Sequence, residues 1–563
     1  MMNRLLELCM HRRGYTNEWL QEINIHPHQT LKDTDKFVTM LHNLKRENKH
    51  IVVLSDFDTD GITSAIISYA GLAELGFRVS LFRPTVSDGY GFSSDTIHRL
   101  KQEFPDADAI ITSDVGISCY DGVATAKEYG MTVLVTDHHI QVDNGLVLDA
   151  DCIVNPNRLD DTYFNKGICG AHVLWQSLYA YACTYETVFL QEQIRRLLVF
   201  AGIGTVSDAM PILYENRPLV EDACSICRLI YNNGSDYLVS NIRGCTTYRL
   251  AFYGLYYLLS EFFMRGKLRT EKDIDEKFFG YYFAPLFNSA KRMNADMNRV
   301  FGIFFGFSQI DDINYLFDLN EQRKIAVDEA YQALFSIDQP YAPYIYFSDA
   351  NGGILGLLAM KLLKANGVPS LVLGEHNGVY KGSGRSLSVF DIRSAMESNG
   401  FRPEGHASAF GILVNKSDIQ LLYQVIDTVV TTTLHTSDVV TTPNYDILIS
   451  TEFSDGVDSD IDIPLFADFV SSCNRLKPFG KGFEQPVVGF LFRPNDGRWQ
   501  RMGERGAHLK ITFDYGFSAF FINMGDYMDD FMKKDKLLAI GTLSTFGEHR
   551  SIQFSGELME GVV

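Results

Sequence analysis

The stretch Ile51-Val52-Val53-Leu54-Ser55-Asp56-Phe57-Asp58-Thr59-Asp60-Gly61 decides the fold class. Four apolar residues in succession leave no polar face to alternate with, so they read as a short strand buried on both sides. Carboxylates follow at Asp56, Asp58 and Asp60, and Gly61 breaks the run. Acids two residues apart repel one another, and nothing basic within the stretch offsets them. Divalent cations cancel that repulsion; a solvated acidic turn merely tolerates it. A calcium-binding helix-loop-helix does not fit, because no bidentate Glu follows at the required offset.

Working outward, a helix over 62–75 closed by Gly76 and a strand over 77–82 lead to a glycine-hinged loop, Ser87-Asp88-Gly89-Tyr90-Gly91-Phe92. Ala109-Ile110-Ile111-Thr112-Ser113 forms the next strand and ends on Asp114 and Gly116. After a helix over 120–129, strand Thr132-Val133-Leu134-Val135-Thr136 ends on Asp137-His138-His139. Strand, helix and strand at this spacing predict a parallel α/β sheet with right-handed crossovers. In such sheets ligands bind beyond the carboxyl ends of the strands, where all three acidic motifs fall. A fourth, Gly202-Ile203-Gly204-Thr205-Val206-Ser207-Asp208, closes an apolar helix that begins near Ile194. Hard carboxylate oxygens with one or two imidazoles suit Mn²⁺ or Mg²⁺, histidine tilting the choice toward Mn²⁺. Two such ions clamp the attacking and leaving oxygens of a phosphoryl centre. The residues alone therefore point to hydrolysis of a phosphoester or phosphoanhydride.

Composition narrows the class. At 563 residues, the chain predicts three or four domains, each with its own core. Its 46% hydrophobic and 21% charged residues are those of a globular protein, and no apolar run approaches the about 20 residues a membrane helix needs. No signal-peptide core opens the sequence, so the cytoplasm is the expected compartment. Nine cysteines without framework spacing suit a reducing environment. The pair Cys224 and Cys227 lacks a second pair at zinc spacing and reads as helix packing. A formal charge of −20 argues against binding nucleic acid through global electrostatics, so any such partner needs a locally basic channel.

Asp56-Phe57-Asp58-Thr59-Asp60-Gly61, Ser113-Asp114-Val115-Gly116, Asp137-His138-His139 and Gly204-Thr205-Val206-Ser207-Asp208 together resemble the four ordered motifs of the DHH phosphoesterases. Within them the chain is similar to the RecJ-like exonucleases. The likeness runs on through Asp88-Gly89-Tyr90-Gly91, Asn155-Pro156-Asn157, Phe287 to Met293 and Leu319 to Arg323. The resemblance implies that Asp56 and Asp58 hold one metal ion, that Asp60, His138 and Asp208 hold the other, and that Asp114 bridges both. It implies that His139 contacts the scissile phosphate and Asp137 orients its neighbours, with Asn288 and Arg292 as substrate contacts. Lys291 stands where the family has glycine, and Ser289 where it has alanine.

Downstream, Leu316, Leu319, Ala326, Ala330, Ala333 and Ile337 share a helical face, interrupted by Arg323, and predict a long connecting helix. A second, smaller α/β domain opens with strand Tyr344-Ile345-Tyr346-Phe347. Its stretch Lys381-Gly382-Ser383-Gly384-Arg385-Ser386 reads as a loop able to offer backbone N–H groups, a hydroxyl and a guanidinium to a phosphate. Its likeness to the DHH-associated domain makes Ser383, Arg385, Arg393 and His406 candidate substrate contacts. A Thr-rich region over 431–442 reads as a boundary, and the acids of 455–462 as a solvated face. Between Lys477 and Lys510, seven basic residues (Lys477, Lys481, Arg493, Arg498, Arg501, Arg505, Lys510) meet three acids, with phenylalanines and Trp499 interleaved. That pattern suits an OB-type β-barrel gripping a single strand through phosphate contacts and base stacking, though most of the aromatics are core. Lys477 and Lys510 are its leading candidates.

The expected organisation is a helical lead-in over 1–49, the catalytic domain over 50–314, a connecting helix over 315–340, the DHH-associated domain over 341–430 and the OB domain over 441–563. The resemblance implies a two-metal 5′-to-3′ exonuclease of single-stranded DNA serving repair, recombination or replication, with a helicase or single-strand-binding protein as partner. Two other readings stand beside it. One is a phosphoesterase of short oligonucleotides or cyclic dinucleotides; the other is an inactive nucleic-acid-binding scaffold.

Overall fold

The computed structural model describes residues 4–16, 30–83, 91–141, 145–306, 308–376, 378–387, 389–436, 445–450, 463–503, 506–513, 517–522, 524–546 and 551–560. The readings at Asp88-Gly89-Tyr90, residues 437–442, 455–462 and Arg505 lie outside them, as does the side chain of His406. The chain divides into two units: Gln29–Met210 with Asp222–Val440, and Met1–His28 with Pro211–Glu221 and Thr441–Val563.

The larger unit holds two sheets. In the first, β1 (Ile51–Ser55), β2 (Val79–Leu81), β3 (Ala109–Ser113), β4 (Thr132–Thr136) and β5 (Cys152–Val154) lie in the order β2-β1-β3-β4-β5, every pair parallel. Strands β1 and β3 are buried along their whole length, as unbroken apolar runs require. The helix after β1 spans Thr59–Glu74 and begins earlier than the sequence reading. The side chain of Asp58 caps it, accepting the N–H groups of Asp60 at 3.1 Å and Gly61 at 3.2 Å. Gly61 is thus no break. It sits in the first turn because a Cβ there would lie 2.2 Å from the Asp56 carbonyl oxygen.

The connecting helix runs over Gln309–Ala333 and ends in a 3₁₀ turn, Leu334–Ser336. Beyond it, β6 (Ile345–Phe347), β7 (Ser370–His376), β8 (Val379–Arg385), β9 (Glu404–His406) and β10 (Ala409–Asn415) form a sheet ordered β6-β7-β8-β10-β9. Here the expected loop over 381–386 is corrected. Most of it is strand β8, laddered to β7 on one side and β10 on the other, so its backbone groups are spent inside the sheet. Its glycine content has a packing cause: a Cβ on Gly382 would lie 2.0 Å from the Val372 carbonyl oxygen. The expected boundary at residue 430 also moves. Helix Ile419–Thr436 continues through it, carried by the buried stripe Ile419, Leu422, Ile426 and Val430.

In the smaller unit, β11 (Ile447–Ser450), β12 (Val488–Phe492), β13 (Gly497–Met502), β14 (His508–Phe513), β15 (Ser518–Phe521), β16 (Leu537–Phe546) and β17 (Ser551–Glu560) are ordered β11-β12-β16-β17-β15-β14-β13. The lead-in expected over 1–49 is split. Helix Arg4–Arg12 buries Leu6, Cys9 and Met10 in the core of this unit, among Phe469, Cys473, Phe490 and Phe513. The helix over Thr34–Arg46 belongs to the larger unit. Residues 211–221 likewise leave the expected catalytic domain. Buried Arg217 donates to the carbonyls of Pro478 at 3.0 Å and Leu476 at 2.9 Å, with its guanidinium over the Phe483 ring. No described helix is long and apolar enough to cross a membrane.

Candidate active site

The acidic residues collect beyond the carboxyl ends of β1, β3 and β4. Asp56 leaves β1 nearly fully buried, Asp58 caps the following helix, and Asp60 lies in its first turn. The two oxygens of Asp60 accept the N–H groups of Gly170 at 2.7 Å and Ala171 at 3.2 Å, the first residues of helix Gly170–Tyr185, whose positive end steadies the charge. Gly204, on helix Leu198–Ser207, lets that helix close over Asp60; a Cβ there would lie 2.4 Å from Asp60 Oδ1. Asp208 follows at the end of the same helix. Asp114 leaves β3 in a left-handed conformation with φ of 62°, a state aspartate tolerates better than most residues.

Behind β4, Asp137 is buried and fully engaged. Its Oδ1 accepts the N–H groups of His138 at 2.7 Å and His139 at 3.2 Å and meets His139 Nδ1 at 2.8 Å, while Oδ2 accepts the Ile117 N–H. Asn155 and Asn157 donate to the carbonyls of His139 and His138, fixing the turn from behind. His138 Nε2 then lies 3.1 Å from Asp114, 3.6 Å from Asp208 and 3.8 Å from Asp60.

Among the described residues, three groups bring their ligand atoms within 4.8 Å of one another: Asp56, Asp58 and Asp114; Asp60, His138 and Asp208; and Asp114, His138 and His139. The electrostatics are those of a cation site. Burial, then the charges of Asp60, Asp58, Asp56 and Asp208, push the Asp114 carboxyl well above its usual range. Burial and Asp58 push Asp56 up to about 6 against the pull of Lys291. Asp56 Oδ1 is buried without a hydrogen-bond partner, and Asp114 Oδ1 is buried with only His138 Nε2 beside it, at 3.1 Å. Orphaned anionic oxygens of this kind call for a positive partner, and hard oxygens with one imidazole fit Mn²⁺ or Mg²⁺. Burial holds His138 below its ordinary value, in the neutral form that binds a metal. Burial works the same way on His139, but the hydrogen bond and charge of Asp137, with Asp208 and Asp58, outweigh it and lift His139 to about 9.

Of the predicted substrate contacts, Asn288 does something else first. Its Oδ1 accepts the N–H and hydroxyl of Thr59 at 3.0 and 2.8 Å, so it braces the turn that carries the acids. Arg292, on helix Ala284–Arg292, meets Arg323 of the connecting helix and Arg385 of β8. Burial and the charges of those two arginines press Arg292 down to about 10. Ser383 shares the outward face of β8 with Arg385, and both reach Gly356 at the start of helix Leu355–Asn366. Three half-buried guanidiniums, with Arg292 repelled by the other two, thus stand near a hydroxyl, and such a set of charges suits a multiply charged anion. Arg393 stands apart: it pairs with Glu397 at 2.8 Å and donates to the Gly405 carbonyl, uses that tie helix Ile392–Ser398 to β9.

In the smaller unit, β13 and β14 pair Arg498 with Thr512 and Gln500 with Lys510, and β15 sets Phe520 opposite Lys510. Leu509, Ile511 and Phe513 point into the core, so Arg498, Lys510 and the half-buried Phe520 share the outer face, with the Lys510 ammonium 5.3 Å from the Phe520 ring centre. Phe479, Phe483, Phe490 and Phe492 are core, as expected of most aromatics there. Lys477 precedes a cis proline, Pro478, in the segment that packs on Arg217.

The family model of the DHH family, N-terminal domain, matches residues 50–203, and that of the RecJ OB domain matches residues 458–557. In both of these domains the chain is similar to the RecJ-like DHH phosphoesterases. It is 26% identical over 513 residues to the single-stranded-DNA-specific exonuclease RecJ of Salmonella typhimurium, covering 87% of this chain and 82% of that one. Against the same exonuclease of Haemophilus influenzae it is 25% identical over 575 residues, covering 96% of this chain and 92% of the relative. The solved structure of RecJ from Thermus thermophilus in complex with Mn²⁺ matches with a TM-score of 0.72 at 19% identity, covering 100% of this chain and 76% of that one, which establishes the shared fold.

Sequence reasoning passed over two side chains, one in each unit, that the structure sets beside its candidate residues. Arg323 looked like a flaw in an apolar helical stripe, yet it places its charge beside Arg292. Phe520 lay outside the basic run and is found only through the register of β14 and β15.

Proposed function

We propose that this protein is a metal-dependent exonuclease that hydrolyses single-stranded DNA from its 5′ end. What carries the reading is the meeting of five carboxylates and His138, with Asp56 Oδ1 buried and without a hydrogen-bond partner, beside Arg292, Arg323 and Arg385. Asp56, Asp58, Asp60, Asp114, His138 and Asp208 would hold Mn²⁺ or Mg²⁺, which would supply Lewis acidity and activate a water for attack on the phosphorus. The three guanidiniums bind a terminal phosphomonoester, with its charge of about −2 at neutral pH, better than an internal diester. That preference sets a strand end, not its middle, across the acids. His139, held by Asp137 and kept protonated, donates to a non-bridging oxygen of the scissile phosphate. The outer face of Arg498, Lys510 and Phe520 grips the strand by charge and stacking. The 5′ polarity is carried by the resemblance of the four ordered motifs alone. The protein acts in the cytoplasm on single strands exposed by an unwinding activity.

The deciding experiment offers single-stranded DNA labelled at either end with Mn²⁺ or EDTA, beside Asp114→Ala. Release of mononucleotides from the 5′ end, dependent on metal and reduced at least about a thousandfold in the variant, is expected. Hydrolysis of dinucleotides without cleavage of long strands would move the reading to a small-substrate phosphoesterase. Tight strand binding with no hydrolysis would leave a scaffold.

A further inference from the structure

The Lys291 side chain reaches into the acid cluster. Its Nζ lies 2.9 Å from Asp56 Oδ2 and 3.5 Å from Asp58 Oδ2, and 5.0 Å from the centre of the Phe57 ring. Asp56 and Asp58, with Asp114, make up one of the groups able to hold a cation, whereas the group of Asp60 and Asp208 is completed by the imidazole of His138. A divalent ion entering between Asp56 and Asp58 therefore meets an ammonium already at hydrogen-bond distance from both carboxylates, and like charges so close cannot share that edge. The lysine stem is flexible and its side chain about one third exposed, at 34%, so the ammonium has a way out. Asp56 Oδ1, the oxygen that Lys291 does not hold, remains buried and unpartnered, as an incompletely neutralised carboxylate would be.

We propose that Lys291 is a tethered cation that holds the Asp56–Asp58 edge until a divalent ion displaces it, which makes the two cation positions of this site unequal. The inference rests on the metal-dependent reading above. Its consequence is a threshold: at limiting metal the position of Asp60, His138 and Asp208 fills alone, and cleavage starts only when the ion concentration suffices to expel the ammonium.

The test counts ions on the full chain by the loss of the free-Mn²⁺ electron paramagnetic resonance signal, for wild type, Lys291→Met and Lys291→Gln. Wild type should show two classes of site at least about tenfold apart in Kd; both variants should tighten the weaker class about tenfold and leave the stronger class nearly unchanged. In EDTA the variants should melt below wild type, since Asp56 and Asp58 lose their counter-charge, and saturating Mn²⁺ should remove that deficit. Two equivalent sites in wild type would overturn the proposal even if neither variant folds, and so would a weaker class that stays put or loosens in the variants. Two equal ions with intact cleavage would sink this inference alone, whereas no bound Mn²⁺ at all would sink the metal-dependent reading with it.

Discussion

At the scale of single residues, the site depends on side chains that touch no substrate. Gly204 shows this best: helix Leu198–Ser207 lies so close to Asp60 that one methyl group would land 2.4 Å from its carboxylate oxygen. Gly204→Ala should therefore turn Asp60 away from its two backbone donors and weaken Mn²⁺ binding by about 10–100-fold, with the fold retained, because groups that orient ligands carry that much of the affinity. Calorimetric titration beside a circular dichroism melt measures it; unchanged affinity would mean that Asp60 does not bind the ion. The acids themselves were legible in the sequence, because each follows an apolar run and parallel strands deliver their ends to one place. Gly204 was legible as part of a motif, but its reason, the approach of a helix to a carboxylate, is a three-dimensional fact.

At the scale of elements, the first sheet is latched at the start of its strands. Asp108, just before β3, accepts the His50 N–H at 2.9 Å and pairs with Lys49 at 3.3 Å, while its own N–H bonds the His50 carbonyl. The backbone hydrogen bond from His50, with Lys49, holds the Asp108 carboxyl below its usual 3.8. A depressed carboxyl contributes stability that is fully present above the unfolded value near 4 and is lost as pH falls through the folded one. Asp108→Asn should thus lower Tm by a small, constant amount from pH 8 to pH 5, and the gap to wild type should close below about pH 4. A gap that widens in acid would refute the assignment. Strand β8 teaches the opposite lesson about legibility: Gly382-Ser383-Gly384 carries every local mark of a loop, and only the carbonyl of Val372 on the neighbouring strand explains the glycine within a ladder.

At the scale of the whole molecule, the smaller unit is assembled from three separated pieces of sequence, which no local pattern announces. Arg13 secures the first piece to the last: its guanidinium takes both oxygens of Asp446 at 2.7 Å and donates to the carbonyls of Glu484 and Gln485. Both partners are largely buried, at 16% and 12% side-chain exposure, so Arg13→Ala should cost about 1.5–3 kcal/mol in this unit. Hydrogen exchange gives the readout: protection should fall in β11 and β12 and stay unchanged in β1, β3 and β4. Equal losses in both places would mean that the two units unfold together. The larger unit was readable because its strands and helices alternate in sequence order, whereas the helix Arg4–Arg12 carried no sign of where its apolar face would go.

That helix also sets a schedule for the growing protein. Arg12 bonds the carbonyl of Asp446, 434 positions later, so on a ribosome adding about 5–20 residues per second its partner arrives on the order of 20 to 90 seconds after it emerges. During that wait Leu6, Cys9 and Met10 have no core to enter, while residues 29–210 and 222–440 can already condense. The larger unit can thus fold before the smaller one, and until residues 441–560 arrive the helix Arg4–Arg12 is an unsatisfied apolar segment with reason to attract a chaperone.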